Sequence, residues 1–239
     1  LIRDARRNNM KMVPLWFGVW KNSMSTYVPE WVKKDLKRFP RSQSKEGKGI
    51  EILSAFSDEV LNADIKAFRA LMRHIREFDA REQTIVMVQV ENEIGMIPDS
   101  RDRSAVANRL YASQVPSELT AYFEKNRQSL VPEMLALWGA NGNKTRGTWE
   151  EVFGRGIGTE EIFTAWHFAR FTEGLTKAGK AEYPLPMFVN AALVRPGHSP
   201  GQYPSGGPLP HLFDVWKAGA PSIDFLSPDI YFQNFAEWT

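Results

Sequence analysis

The sequence contains no cysteine among its 239 residues. A disulfide, a thiolate nucleophile and a cysteine-ligated zinc site are therefore excluded, although a cysteine-free chain suits reducing and oxidising compartments equally. No apolar run reaches the ~20 residues that a membrane-spanning helix needs, so we expect no membrane partner. Acidic and basic residues are interspersed at a net charge of +2. Without a stripe of Lys and Arg, we expect no nucleic-acid partner.

Motifs for cofactors and metals are also missing. No G-x-G-x-x-G follows an apolar segment, which weakens a nucleotide-binding interpretation. The four histidines form no metal-ligand spacing such as H-E-x-x-H, and no Ser/His/Asp arrangement is recognisable. They are His74, His167, His198 and His211. We therefore expect neither a metal nor an organic cofactor.

Apolar segments alternate with helical patterns along the chain. The predicted strands are 11–17, 84–90, 186–193 and 223–232, and the predicted helices include 57–78 with Ser57 as N-cap, 117–137, and 159–179 with Thr159 as N-cap. Such alternation predicts an α/β fold with a parallel sheet and right-handed crossovers. Pro14 argues against a central position for the first strand, because proline removes a ladder donor.

Long segments follow the predicted strands. Residues 18–50, 95–158 and 194–222 are rich in Trp, Asn, Tyr and Gly. A barrel enzyme keeps its chemistry on the loops at the carboxyl ends of its strands. This asymmetry favours a barrel, although four strands alone do not distinguish part of a barrel from a doubly wound sheet.

The stretch VQVENEIG, residues 88–95, runs from a predicted strand into two carboxylates. Glu91 and Glu93 point the same way if the strand stays regular, because strand side chains have a period of two. Two close carboxylates raise one pKa, which is what a general acid needs near neutral pH. Asn92 between them offers a neutral donor and acceptor. The alternative is structural, with Glu91 paired to a cation inside the fold and Glu93 merely ending the strand.

Three segments carry a family resemblance: VQVENEIG, LWFGVWKNSMSTYVPEWVK at 15–33 and SPDIYF at 227–232. They resemble family 35 glycoside hydrolases, the β-galactosidase family, and in particular a bacterial subgroup within the clan of retaining (β/α)8 glycosidases. The resemblance implies a partial TIM barrel made of strands three to six with their helices. It also implies that Glu93 is the general acid/base and that Asn92 contacts the 2-hydroxyl of the sugar.

The same resemblance implies that residues 1–239 form an incomplete catalytic barrel domain. Strands one and two would precede Leu1, and strands seven and eight would follow Thr239. The clan's nucleophile is a Glu at the end of strand seven, so we assign no residue of this chain to that role. We expect flanking sequence to supply the rest of the barrel, and the chain alone to be inactive.

The loop after the first strand holds candidate sugar contacts. Sugar rings stack their C–H faces on indoles, and of Trp16 and Trp20 we expect Trp20 to face the ligand and the other to be core. Lys21 and Asn22 are candidates to bind hydroxyls, with ordinary loop polarity as the alternative.

Three polar residues in the later strands are further candidates. Asn190 lies inside an apolar strand, where a buried amide must find partners, and a sugar hydroxyl is one such partner. Tyr231 falls where the clan often has a Tyr that bonds the nucleophile, and Asp229 precedes it by two residues. Both also suit hydrogen bonds within the barrel interior.

The leading functional hypothesis is a retaining glycosidase that removes terminal β-linked, galactose-type sugars. The alternatives are a non-catalytic carbohydrate-binding barrel and an unrelated α/β protein in which ENE is structural. The exact sugar, the linkage, the oligomer and the compartment are left open by the sequence.

Overall fold

The computed structural model describes residues 1–238 of the chain. The strands are β1 Leu15–Trp16, β2 Arg41–Gln43, β3 Gly49–Leu53, β4 Val88–Val90, β5 Met187–Ala192 and β6 Phe225–Asp229. The helices are α1 Ile2–Arg7, α2 Glu30–Lys34, α3 Asp58–Asp79, α4 Ala105–Tyr111, α5 Ser117–Lys125, α6 Pro132–Ala140, α7 Trp149–Phe153, α8 Ile157–Glu182, α9 Phe213–Gly219 and α10 Phe235–Trp238. A short 3-10 helix, Pro210–Leu212, precedes α9.

Four strands form one parallel sheet in the order β1-β4-β5-β6. Sequential neighbours in this order are adjacent in space, and each crossover between them contains helix. The predicted parallel, in-order arrangement is therefore confirmed. Because parallel strands end at the same edge of a sheet, the carboxyl ends of β1, β4, β5 and β6 face a common side.

The first strand is shorter than the predicted segment 11–17. Met12 makes an isolated parallel bridge to Ile85, and regular pairing resumes only at Leu15, opposite Gln89. Pro14 lies between them. It has no N–H to donate, and its carbonyl oxygen accepts a hydrogen bond from Gln89 N at 3.0 Å. The missing proline N–H explains the interruption of the ladder.

Helix α3 begins and ends close to its predicted bounds. Ser57 caps it, accepting from Val60 N at 3.3 Å. The apolar face packs against α8, the longest helix, and the aromatic-rich core lies between these helices and the sheet. No helix within residues 1–238 is long and apolar enough to cross a membrane.

Three local predictions are corrected. Helix α8 begins at Ile157, and Thr159 does not cap it, because its hydroxyl donates back to the carbonyls of Phe153 and Gly154. The predicted helix 117–137 is two helices: α5 ends at Lys125, with Asn126 as its C-cap, and α6 begins at Pro132, which lacks an N–H and suits the first position of a helix. An antiparallel hairpin, β2 with β3, spans residues 41–53, at and just beyond the end of the segment 18–50, and no strand was predicted there.

Candidate active site at the ends of β4, β5 and β6

The two glutamates do not share a face. Strand β4 ends at Val90, and both Glu91 (φ 59°) and Glu93 (φ 44°) have left-handed backbone conformations. The period-two argument therefore fails, because it holds only while the strand is regular. Glu91 turns into the protein and is completely buried, whereas Glu93 is half-buried at the carboxyl end of the sheet.

Glu93 is paired with Asp229, the last residue of β6. The two carboxyl groups lie within hydrogen-bonding reach of each other. Burial raises the pKa of Glu93, the negative charge of Asp229 raises it further, and the positive charge of Lys21 opposes both. Burial also raises the pKa of Asp229. Two carboxyl groups this close do not ionise independently, so the arrangement favours the protonated form of one member.

Amide side chains fix the backbone around Glu93. Asn190 Oδ1 on β5 accepts from Glu93 N at 2.9 Å, and Asn190 Nδ2 donates to Asp229 Oδ2 at 2.6 Å and to Asn92 Oδ1 at 3.0 Å. Gln89 Nε2 also donates to Asn92 Oδ1 at 2.9 Å. The network thus holds the ends of three neighbouring strands in one arrangement.

Asn92 remains a candidate for sugar binding. Its Nδ2 donates to Lys21 O at 2.7 Å, and an amide nitrogen carries two hydrogens. The second hydrogen has no acceptor among the residues that the structure describes. Asn92 is half-buried, so this hydrogen is available to a ligand beside Glu93.

Two predicted substrate contacts are corrected. Trp20 is 0% exposed: its Nε1 donates to Gly95 O at 3.1 Å, and Phe168 and Phe171 pack edge-on against its ring. It is a core residue and cannot face a ligand. Asn190 is 3% exposed, and both its Nδ2 hydrogens and its Oδ1 are engaged within the protein. It connects the site residues instead of touching a sugar.

Two further predicted contacts, Asn22 and Tyr231, are half-buried and exposed, respectively. Asn22 Oδ1 accepts from Met24 N and Ser25 Oγ, both at 2.9 Å, so it stabilises a turn. Tyr231 is 80% exposed, and the charge of Asp229 raises the pKa of its hydroxyl. For both residues, sugar binding stays a prediction.

Sequence reasoning missed two site residues. Gln89, like Asn190, is a buried amide side chain inside an apolar strand, so the reasoning applied to Asn190 also applied to Gln89. Asp64 on α3 lies four residues after Val60 and four before Phe68, both of which are buried. An acid on the buried stripe of a helix was the available signal.

Two negative observations concern the surroundings of the site. Over the part of the chain that the structure describes, no group of three or more His, Cys, Asp or Glu side chains could hold a metal ion. An apolar cavity of 140 Å³, lined by Trp16, Phe17, Tyr27 and other apolar residues, has Asp64 in its wall and does not include Glu93.

The fold is shared with β-galactosidases of known structure. A GH42 β-galactosidase from G. stearothermophilus superposes with a TM-score of 0.54 at 13% identity, over 100% of this chain and 32% of its own. The β-galactosidase of Bacillus circulans sp. alkalophilus gives a TM-score of 0.53 at 13% identity, over 98% of this chain and 32% of its own. The β-galactosidase of Rahnella sp. R3 gives 0.50 at 12% identity, over 98% and 31%.

These likenesses support the predicted α/β fold, a partial TIM barrel. The chain spans about a third of the length of these neighbours. No protein-family model and no curated protein matches the sequence. The neighbours do not single out family 35, and one of them is a GH42 enzyme.

Proposed function

We propose that this chain carries the acid/base half of a retaining β-glycosidase, with Glu93 as the general acid/base. The observation that carries the proposal is the half-buried Glu93–Asp229 pair at the carboxyl ends of β4 and β6. Barrel enzymes place their catalytic groups at this end of the sheet. The raised pKa of Glu93 keeps it protonated closer to neutral pH, as an acid catalyst requires.

In the proposed mechanism, Glu93 protonates the glycosidic oxygen as the bond to the leaving group breaks. A second carboxylate attacks the anomeric carbon, and Glu93 then takes a proton from the water that releases the sugar. The nucleophile of retaining enzymes lies roughly 5–5.5 Å from the acid/base. Asp229 is within hydrogen-bonding reach of Glu93, which is too close for that role. It therefore serves to hold the proton.

The substrate class in this proposal is a terminal β-linked, galactose-type sugar. The family 35 resemblance of the ENE segment and the β-galactosidase fold neighbours support it. Asn92 offers its remaining N–H to a sugar hydroxyl beside Glu93. Because the chain covers about a third of its structural neighbours, the proposal concerns the activity of the full-length protein, and the assays below use it.

The test is Glu93→Gln assayed on a β-galactoside with a poor leaving group and on an activated aryl β-galactoside. Hydrolysis of the first should fall by roughly 10²–10⁴-fold, the usual contribution of acid–base catalysis. The activated substrate should still glycosylate the enzyme, because its leaving group departs without a proton. Added azide should restore turnover and yield a β-glycosyl azide.

Glu173→Gln is the matched control. Glu173 is also a buried carboxylate, but it accepts from Ser222 N and Ser222 Oγ, both at 2.9 Å, at the opposite end of the sheet. It should keep the wild-type rate per folded molecule. If Glu93→Gln retains most of the activity on the poor substrate, the acid/base assignment is wrong. A wild-type protein that binds galactosides without hydrolysing them would support the carbohydrate-binding alternative.

A further inference from the structure

Glu91, which the proposed mechanism does not use, binds three successive backbone amides of the loop after β1. Its Oε2 accepts from Gly18 N at 3.0 Å and from Trp20 N at 2.8 Å, and its Oε1 accepts from Val19 N at 3.1 Å. Three N–H groups around one carboxylate form a compact anion-binding arrangement. The conformation of residues 18–20 therefore depends on the Glu91 carboxylate.

A second buried carboxyl group lies directly beside Glu91. Asp64 Oδ1 accepts from Trp16 Nε1 at 2.9 Å, whereas Oδ2 has no donor among the described residues. A Cβ atom added at Gly18 would lie 2.5 and 2.6 Å from the two Asp64 oxygens and 2.7 Å from Glu91 Oε1. The two groups thus converge under the Gly18 backbone, and only glycine leaves room for them.

One proton gives every oxygen of this pair a partner. Burial raises the pKa of both groups, and the charge of Asp64 adds to the effect on Glu91. Glu91 already accepts three amides, which favours its ionised form. A proton held between Asp64 Oδ2 and Glu91 then satisfies the one oxygen that has no other donor.

The loop that Glu91 holds leads directly to the candidate active site. Asn92 N donates to Trp20 O at 3.2 Å, and Asn92 Nδ2 donates to Lys21 O at 2.7 Å. The charge of Lys21 in turn acts on Glu93. Residues 18–21 are therefore fixed on one side by Glu91 and on the other by Asn92, and they carry Lys21, whose charge acts on Glu93.

We propose that Glu91, with Asp64 as its hydrogen-bond partner, is a positioning residue that holds the loop of residues 18–21 and so keeps Lys21 beside Glu93. The inference rests on the proposed function and assigns a role to the first glutamate of the ENE segment. A purely stabilising pair would affect unfolding but would leave the ionisation of Glu93 unchanged.

The experiment compares Glu91→Gln, Asp64→Asn, Lys21→Met and the control Glu173→Gln in the full-length protein. The measurement is the pH profile of kcat/KM, whose basic limb reports the pKa of the acid catalyst in the free enzyme. Because Lys21 lowers the pKa of Glu93, displacing the loop should move the basic limb to higher pH. Lys21→Met should move the limb in the same direction.

The sign of the shift separates positioning from a through-space charge effect. Neither Glu91→Gln nor Asp64→Asn adds negative charge, so a through-space effect alone would leave the pKa of Glu93 unchanged or lower it, and would not move the limb to higher pH. Asp64→Asn keeps a donor for Glu91, so its shift should be smaller than that of Glu91→Gln. Glu173→Gln should lower the melting temperature and leave the limb in place.

A limb that moves upward in Glu91→Gln supports the proposal. A folded Glu91→Gln protein with an unmoved or lowered limb overturns it, provided that Lys21→Met moves the limb upward. If Glu91→Gln does not fold, Asp64→Asn decides: an upward shift supports the proposal, and a lower melting temperature with an unmoved limb overturns it. Failure of the proposed function would show separately, as full activity of Glu93→Gln on the poor substrate.

Discussion

The two carboxyl pairs at the end of β4 differ in their access to solvent. Glu93 and Asp229 are half-buried at the carboxyl edge of the sheet, with Lys21 acting on Glu93. Glu91 and Asp64 are sealed under the loop after β1, and backbone amides of that loop surround Glu91. Two glutamates only two residues apart therefore lie in different environments: the accessible one suits the proposed proton transfer, whereas the enclosed one suits the proposed positioning of the loop.

The left-handed conformations of Glu91 and Glu93 produce this separation. In a regular strand both side chains would enter the same space and repel each other. The irregular backbone after Val90 instead gives each carboxylate its own acidic partner. Backbone geometry thus places the two carboxyl groups in separate environments.

The largest effect should come from Gly18→Ala, which tests how tightly the buried pair is enclosed. The added methyl group would overlap with both carboxyl groups, so we expect a loss of roughly 1–3 kcal/mol in the free energy of unfolding. Gly158→Ala is the control, because its Cβ would enter open space within α8. Urea unfolding should show a loss only for Gly18→Ala, and equal stabilities would contradict the close packing described above.

Asp64→Asn should reveal the enclosed proton through the pH dependence of stability. Folding raises the pKa of the pair. Its contribution to the free energy of unfolding is therefore fully present below the unfolded carboxyl pKa of about 4, and this contribution is lost as pH rises towards the pKa of the folded state. The melting temperature of Asp64→Asn relative to wild type should therefore increase with pH above about 4. A constant difference from pH 4 to 8 would mean that the pair takes up no proton on folding.

Asp229→Asn should shift the pKa of Glu93 in the direction opposite to the shift caused by Lys21→Met. The charge of Asp229 raises the pKa of Glu93, so its removal should lower that pKa. The basic limb of kcat/KM should move to lower pH. If both variants moved the limb in the same direction, the charge arrangement proposed around Glu93 would be wrong.

The smallest effect should come from Tyr231→Phe. If the hydroxyl of this exposed side chain binds the substrate, KM should rise about 2–10-fold, the equivalent of one ordinary hydrogen bond. Stability should be unaffected. Equal KM values for the variant and wild type would remove Tyr231 from the substrate-binding residues.

The sequence was sufficient for the order and direction of the sheet and for helix α3. Apolar periodicity and the Ser57 cap are local signals, and the structure follows them. The predicted helix 117–137 is interrupted after Lys125, and Pro132, a local signal for a new helix start, was overlooked. The hairpin β2–β3 carries little apolar alternation, so its pairing depends on contacts that a sequence pattern does not contain.

The position of the candidate site was predictable from the sequence, but the pairing of its carboxyl groups was not. The ENE segment indicated a strand end with carboxylates, and the structure places Glu93 there. That Glu93 pairs with Asp229 and Glu91 with Asp64 depends on left-handed backbone angles after Val90. Trp20 was misplaced because an indole in a loop has the same sequence signal whether it faces the core or a ligand.

The buried indole of Trp20 has an optical consequence. Its ring is dry, donates to Gly95 O, and lies in the same loop that Glu91 holds. A tryptophan in such an environment emits at short wavelength, and water entering around it shifts the emission to the red. The difference between wild-type and Trp20→Phe fluorescence therefore isolates one residue among eight tryptophans. That signal reports, in real time and without a substrate, whether the loop of residues 18–21 keeps Trp20 buried.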